Sequence, residues 1–85
     1  MVNMTFKERS KLNNIIESVR TELIRSKKVH QESFASYHEG YAVLLEEVDE
    51  LWDELKKRTP LEANVIEECT HIAAMAIKLI EFTYE

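Results

Sequence analysis

Three glutamates and one histidine in this 85-residue chain have the types and spacing to hold a divalent cation. Glu47 and Glu50 stand three residues apart, so on a helix their Cβ atoms come within ~5–6 Å on one side. That side adjoins an apolar stripe instead of opposing it, which turns both carboxylates towards the interior. Glu68 is the stranger residue: at 100° per residue it projects among Val65, Ile72 and Met75, inside or at the rim of an apolar sector. Burying a lone carboxylate costs several kcal/mol even after relaxation, so Glu68 must be protonated, paired with a base or bound to a cation. His71 follows one turn along the same edge, and Lys78 two turns beyond it. An interior Glu–His or Glu–Lys pair without function fits the same spacing.

The short connection KRTP allows the two stretches to form an antiparallel hairpin that brings Glu47 and Glu50 opposite Glu68 and His71. Two carboxylates about 5 Å apart repel by roughly 3 kcal/mol at an effective dielectric of ~20, so three in a half-buried cleft invite a cation. Oxygen ligands on flexible side chains suit Mg²⁺, with Mn²⁺ as the alternative; Mg²⁺ usually arrives with waters and substrate phosphates.

Helices must position these groups. One glycine and one proline in the whole sequence leave little for the corners of a sheet architecture and favour long helices. Three stretches open with a hydroxyl residue followed three positions later by glutamate, the signature of a capping box: Thr5 with Glu8, Ser36 with Glu39, and Thr59 with Glu62. Pro60 suits the first position of the third helix. These signals predict a single all-α domain over 1–85, with helices at about 6–31, 37–58 and 60–84. Helix one carries a stripe of Leu12, Ile15, Ile16, Val19 and Leu23; helix two carries Tyr37, Tyr41, Leu44, Leu45, Val48, Leu51, Trp52 and Leu55. Helix three is apolar over more than half its circumference and must be covered from two sides. Packing against a symmetry mate would provide that, so the three-helix subunit is expected to complete its core by dimerisation, as a homodimer or a dimer of dimers.

Composition narrows the rest. A chain this short buries only roughly 60–65% of the surface its unfolded form exposes, and its single cysteine, Cys69, makes no internal disulfide. Association is the supplement that remains. A net charge of −5 argues against nucleic-acid binding. The cluster of Arg20, Arg25, Lys27, Lys28 and His30 reads as cations complementing a helix C-terminus. The polar N-terminal stretch MVNMTFKERSKLNN and the absence of any long apolar run point to a cytoplasmic protein with no membrane partner.

The blocks HEGYAVLLEEVDELWDEL and EECTHIAAMAIKLIEF resemble the MazG-like branch of the all-α nucleoside triphosphate pyrophosphohydrolases, and the likeness covers residues 36–82. That family carries a Glu-Glu-x-x-Glu motif on one helix and Glu-x-x-Asp on the next, with Mg²⁺ held between them. Glu46, Glu47 and Glu50 match the first motif; Glu67 and Glu68 match the second up to its last position, where His71 stands in place of aspartate. The resemblance implies metal-dependent hydrolysis of a nucleoside triphosphate to the monophosphate and pyrophosphate. It makes Glu47, Glu50 and Glu68 metal ligands, with His71 in the fourth position, and Glu46 an orienting group or catalytic base. Lys78 is then within reach of a substrate phosphate, while Trp52 or Tyr41 could stack on a base or pack in a core. A neutral imidazole suits Mg²⁺ poorly and Mn²⁺ or a softer metal better.

Two other classes fit parts of the pattern. Glu68-x-x-His71 matches the Glu-x-x-His element of carboxylate-bridged di-iron bundles, and a two-fold dimer would supply it twice. A non-catalytic helical interaction module that dimerises without turnover is the third reading.

Overall fold

The computed structural model describes residues 4–85; Met1 to Asn3, the start of the polar N-terminal stretch, lie outside them. It is all-helical, with no strand among the described residues: α1 spans Phe6–Val29, α2 Tyr37–Leu55 and α3 Glu62–Phe82. No helix is long and apolar enough to cross a membrane.

The first two helix starts follow from their hydroxyl caps. Thr5 Oγ1 accepts from the Glu8 amide at 3.1 Å, and Ser36 Oγ accepts from the Glu39 amide at 3.1 Å. The Glu39 carboxylate reaches back past its cap to accept from the Ala35 amide at 2.9 Å. Each side chain thereby satisfies a backbone donor that the first helical turn leaves open.

The third start is different. Leu61, not Thr59, is the N-cap, with no side-chain hydrogen bond of its own, so Pro60 lies outside the helix. The cap comes from across the hairpin. Glu54, near the end of α2, accepts from the Leu61 amide at 2.9 Å, from Asn64 Nδ2 at 3.0 Å and from Lys57 Nζ at 2.9 Å. These donors, led by the Leu61 amide, hold the Glu54 carboxyl down at about 2. A lowered folded pKa stabilises the fold above the unfolded value of 4.5 and ceases to as pH falls towards 2. Replacing Glu54 with Gln should therefore lower the thermal midpoint at neutral pH and flatten the acid limb of the stability profile between those two values; an unchanged acid limb in circular-dichroism melts would refute the capping role.

α3 is the central element. It packs against both α1 and α2, which do not pack on each other among the described residues. α2 and α3 run antiparallel, with Glu54 at one end of the hairpin and, at the other, Tyr37 edge-on to Phe82 at 4.9 Å between ring centroids. α1 of the same chain covers part of the second side of α3, while Ile66, Ile77 and Ile80 of α3 stay exposed. Lys27 Nζ ties α1 to Glu81 of α3 at 2.9 Å.

The core is small. Val19, Phe34, Ala74 and Met75 are its buried apolar residues, packed against by Leu23, Val43, Leu44, Ala73, Leu79 and Phe82. Phe34, in the α1–α2 connection, joins this core although nothing in its local sequence marks it as core. It seats beside Gly40, the residue that lets α2 approach α3: a Cβ there would lie 2.6 Å from Leu79 Cδ1 and 3.0 Å from Phe34 Cδ2. Gly40→Val should destabilise the fold by ~1–3 kcal/mol through overpacking. Urea melts check this, and a variant as stable as the native protein would refute the close approach.

Every described residue from Met4 to Ser18 is exposed, including Leu12, Ile15 and Ile16 of the predicted stripe. The chain exposes 6819 Å², roughly 1,600 Å² more than the ~5,200 Å² expected of a folded monomer of its mass.

Candidate metal centre

The α2–α3 hairpin brings together the four residues singled out by spacing. Glu47 and Glu50 on α2 and Glu68 and His71 on α3 can each offer one ligand atom, and these atoms all lie within 4.8 Å of one another. The local reason is register. Gly40, Leu44, Glu47, Leu51 and Glu54 recur at four- and three-residue steps, which turns Glu47 inward against α3 with its apolar neighbours. Glu68 and His71 are one turn apart on α3, which places both on the edge facing α2.

His71 sits at the middle. Its Nδ1 lies 3.3 Å from Glu47 Oε2 and 3.9 Å from Glu68 Oε2, and its Nε2 lies 3.7 Å from Glu22 Oε1 on α1. Glu47 Oε2 and Glu68 Oε2 are buried atoms with no hydrogen-bond partner among the described residues. Such oxygens are costly to desolvate and leave without a donor or cation. Burial, followed by the Glu50 charge, pushes the Glu47 carboxyl above its usual range, while His71 pulls the other way. Burial likewise raises Glu68, with its contact to Glu50 adding to the effect. Glu50 is the exposed member and stands at the outer rim.

This cluster opens onto a cavity of about 430 Å³ between the C-terminal half of α1, the α1–α2 connection, α2 and α3. Glu46, Glu47, His71 and Lys78 all line it. Glu46 is exposed on the cavity wall; Lys78 is buried, with Nζ 4.8 Å from the centroid of the Phe34 ring. Burial lowers the Lys78 pKa, and the nearby Lys27 charge lowers it further. A cavity of this size is within the range of small-molecule sites.

Tyr41 and Trp52 are not brought to it. They are 63% and 60% exposed on the outward side of α2, away from the cavity wall. The inward stripe of α2 is offset from them by about one position, so Glu47 and Glu54 take the places against α3.

Sequence reasoning missed Glu22 and read Arg25 only as one of the cations at a helix C-terminus. Arg25 grips Glu22 with two hydrogen bonds, Nε to Oε1 at 2.8 Å and Nη2 to Oε2 at 2.7 Å. This bond to Arg25, the leading cause, lowers the Glu22 pKa against the opposing effect of burial. The available signal was helical spacing: Glu22 falls between Val19 and Ser26, the two residues α1 buries. A carboxylate on that line faces α3.

Compared with protein-family models, curated proteins and solved structures, the chain matches none.

Proposed function

We propose that this protein is a MazG-like nucleoside triphosphate pyrophosphohydrolase that uses Mg²⁺ or Mn²⁺ and works as a homodimer or dimer of dimers. The observation that carries the reading is the meeting of Glu47, Glu50, Glu68 and His71 within 4.8 Å, with two buried carboxylate oxygens unpartnered. The donor set fits a divalent cation: three carboxylates and one imidazole, with two buried carboxylate oxygens that accept no hydrogen bond among the described residues.

When bound, the cation supplies charge neutralisation to phosphate oxygens and orients a water. The remaining roles fall to side chains. The buried Lys78 offers a cation on the cavity wall for the phosphate chain, in surroundings of low polarity where its attraction is least screened. Glu46, which lines the same cavity, takes the role of acceptor for the proton of the attacking water in this reading. Water adds to the α phosphorus, the bond to the bridging oxygen of the α–β anhydride breaks, and pyrophosphate leaves with that oxygen. The products are a nucleoside monophosphate and pyrophosphate.

A screen for pyrophosphate release, run across ribo- and deoxyribonucleoside triphosphates with each of the two metals, tests this. Release from at least one triphosphate, absent without metal, is expected. Metal binding without turnover of any nucleotide would favour a non-catalytic helical module, and bound iron with oxo-bridge absorption would favour a di-iron protein.

A further inference from the structure

The histidine in the cluster is held from behind. Its Nδ1 faces Glu47 and Glu68, and the opposite nitrogen, Nε2, faces Glu22 Oε1 at 3.7 Å. That gap is longer than a hydrogen bond, and Glu22 is the carboxylate that Nε2 faces across it. Glu22 is itself fixed by the fork of Arg25 at 2.7 and 2.8 Å, so it presents a steady acceptor and not a wandering side chain. Both partners are mostly shielded: the side chains of Glu22 and His71 are 13% and 22% exposed. Arg25, Glu22 and His71 therefore form a chain from the outer face of α1 to the cluster between α2 and α3.

Such a chain has a chemical consequence. Without a cation, Glu47 at 3.3 Å from Nδ1 competes with Glu22 for the imidazole proton; with a cation among the carboxylates Nδ1 is the ligand atom and Glu22 is the acceptor for the one proton left, on Nε2. A carboxylate behind a ligating imidazole fixes its tautomer and orientation and increases its basicity. Imidazole nitrogen suits Zn²⁺, Fe²⁺ and Ni²⁺, and Mn²⁺, although it too favours oxygen, accepts an imidazole more readily than Mg²⁺, which is served by oxygen. We infer that Glu22, anchored by Arg25, is a positioning residue that makes His71 a metal ligand and so sets the centre to prefer nitrogen-accepting divalent cations over Mg²⁺. The inference rests on the reading of the cluster as a metal centre, and adds α1 to the two helices that build it.

The test is binding, not turnover. Mn²⁺ and Mg²⁺ affinities are measured by titration calorimetry on the full chain, with electron spin echo spectroscopy of bound Mn²⁺ to detect a coupled ¹⁴N nucleus. The native protein should bind Mn²⁺ at least about 100-fold more tightly than Mg²⁺ and show nitrogen coupling. Glu22→Ala should weaken Mn²⁺ by ~10-fold or more, the cost typical of losing an outer partner of a metal ligand. Mg²⁺ affinity should stay nearly constant, and Glu22→Gln, which keeps an acceptor oxygen, should restore most of the loss. In a His71→Asp background Glu22→Ala should leave the Mn²⁺ to Mg²⁺ ratio unchanged. Nitrogen coupling and a ratio unmoved by Glu22→Ala would overturn the role of Glu22 and leave the metal centre standing. Binding of neither cation would overturn both.

Discussion

Glu47→Gln is expected to abolish pyrophosphate release, by about 100-fold or more, while raising the thermal stability of the metal-free protein. The two effects come from one cause. Removing an outer partner of a metal ligand already costs ~10–100-fold in affinity, so removing a ligand itself should cost at least the upper end of that range. Without a cation, however, the same carboxylate is a burden: burial and the Glu50 charge raise its pKa, so the ionised form is disfavoured in the fold. Glutamine occupies similar space without charge, and the repulsion disappears. The pH dependence has a definite sign. Because Glu47 and Glu68 are both raised above 4.5, their contribution to stability is complete below that value and is lost as pH rises through the folded pKa values. Metal-free protein should therefore melt at a falling temperature as pH rises above 4.5, as far as these two groups are concerned. With saturating Mn²⁺ the trend should reverse, since protons and the cation compete for the same oxygens. The Glu54 and Glu22 carboxyls, both lowered, act in the opposite sense at more acid pH and place the stability maximum between the two windows. Scanning calorimetry across pH, with and without metal, reads all of this. A Glu47→Gln variant that turns over normally, or a melting profile indifferent to metal, would remove the cluster from the chemistry.

Much of this arrangement could be read from spacing, and the failures have identifiable causes. The Glu47–Glu50 and Glu68–His71 pairs were legible because three-residue steps on helices fix neighbours regardless of tertiary detail. Two hydroxyl N-caps, Thr5 and Ser36, were legible for the same reason. Thr59 was not, because the donor at Leu61 finds Glu54, a residue seven positions earlier that only the closed hairpin delivers. Periodicity also could not say which of two adjacent apolar seams on α2 faces inward. The stripe was wide enough to contain both, and the inward choice is made by Gly40, where α2 comes close to Leu79 and Phe34. Tyr41 and Trp52 fell on the other seam. Glu22 escaped notice because a salt-bridged i, i+3 pair on an amphipathic helix looks like ordinary surface, and only the packing of α1 on α3 turns one of its oxygens to His71.

The outward seam of α2 leads to the second large effect: Trp52→Glu should convert the protein from an oligomer to a monomer in sedimentation velocity at micromolar concentration. Tyr41, Leu45, Val48, Trp52 and Leu55 follow one another at steps of four and three, and every one is at least 41% exposed. That is the spacing of a helix seam that packs on another helix. The chain also exposes roughly 1,600 Å² beyond the expectation for its mass, part of it on the exposed N-terminal half of α1. This exceeds the ~800 Å² that each partner of a standard interface buries and falls in the range of obligate homodimers. A two-fold axis would set the seam against its own copy. A tryptophan at the centre of such a patch is the residue type whose loss costs ≥ ~2 kcal/mol, and a glutamate adds an unpaired charge facing its own symmetry copy. Since each chain carries a net charge of −5, self-association should strengthen with added salt, opposite to what a charge-driven contact would show. Native protein that sediments as a monomer at every concentration, or Trp52→Glu that associates as before, would defeat this face as an interface. The two variants also divide the labour of α2. Glu47 looks towards α3 and Trp52 away from it, so Glu47→Gln should keep the oligomer and lose the metal. Trp52→Glu should lose the oligomer first and weaken metal binding only as far as α2 loosens when its outer face is left in water.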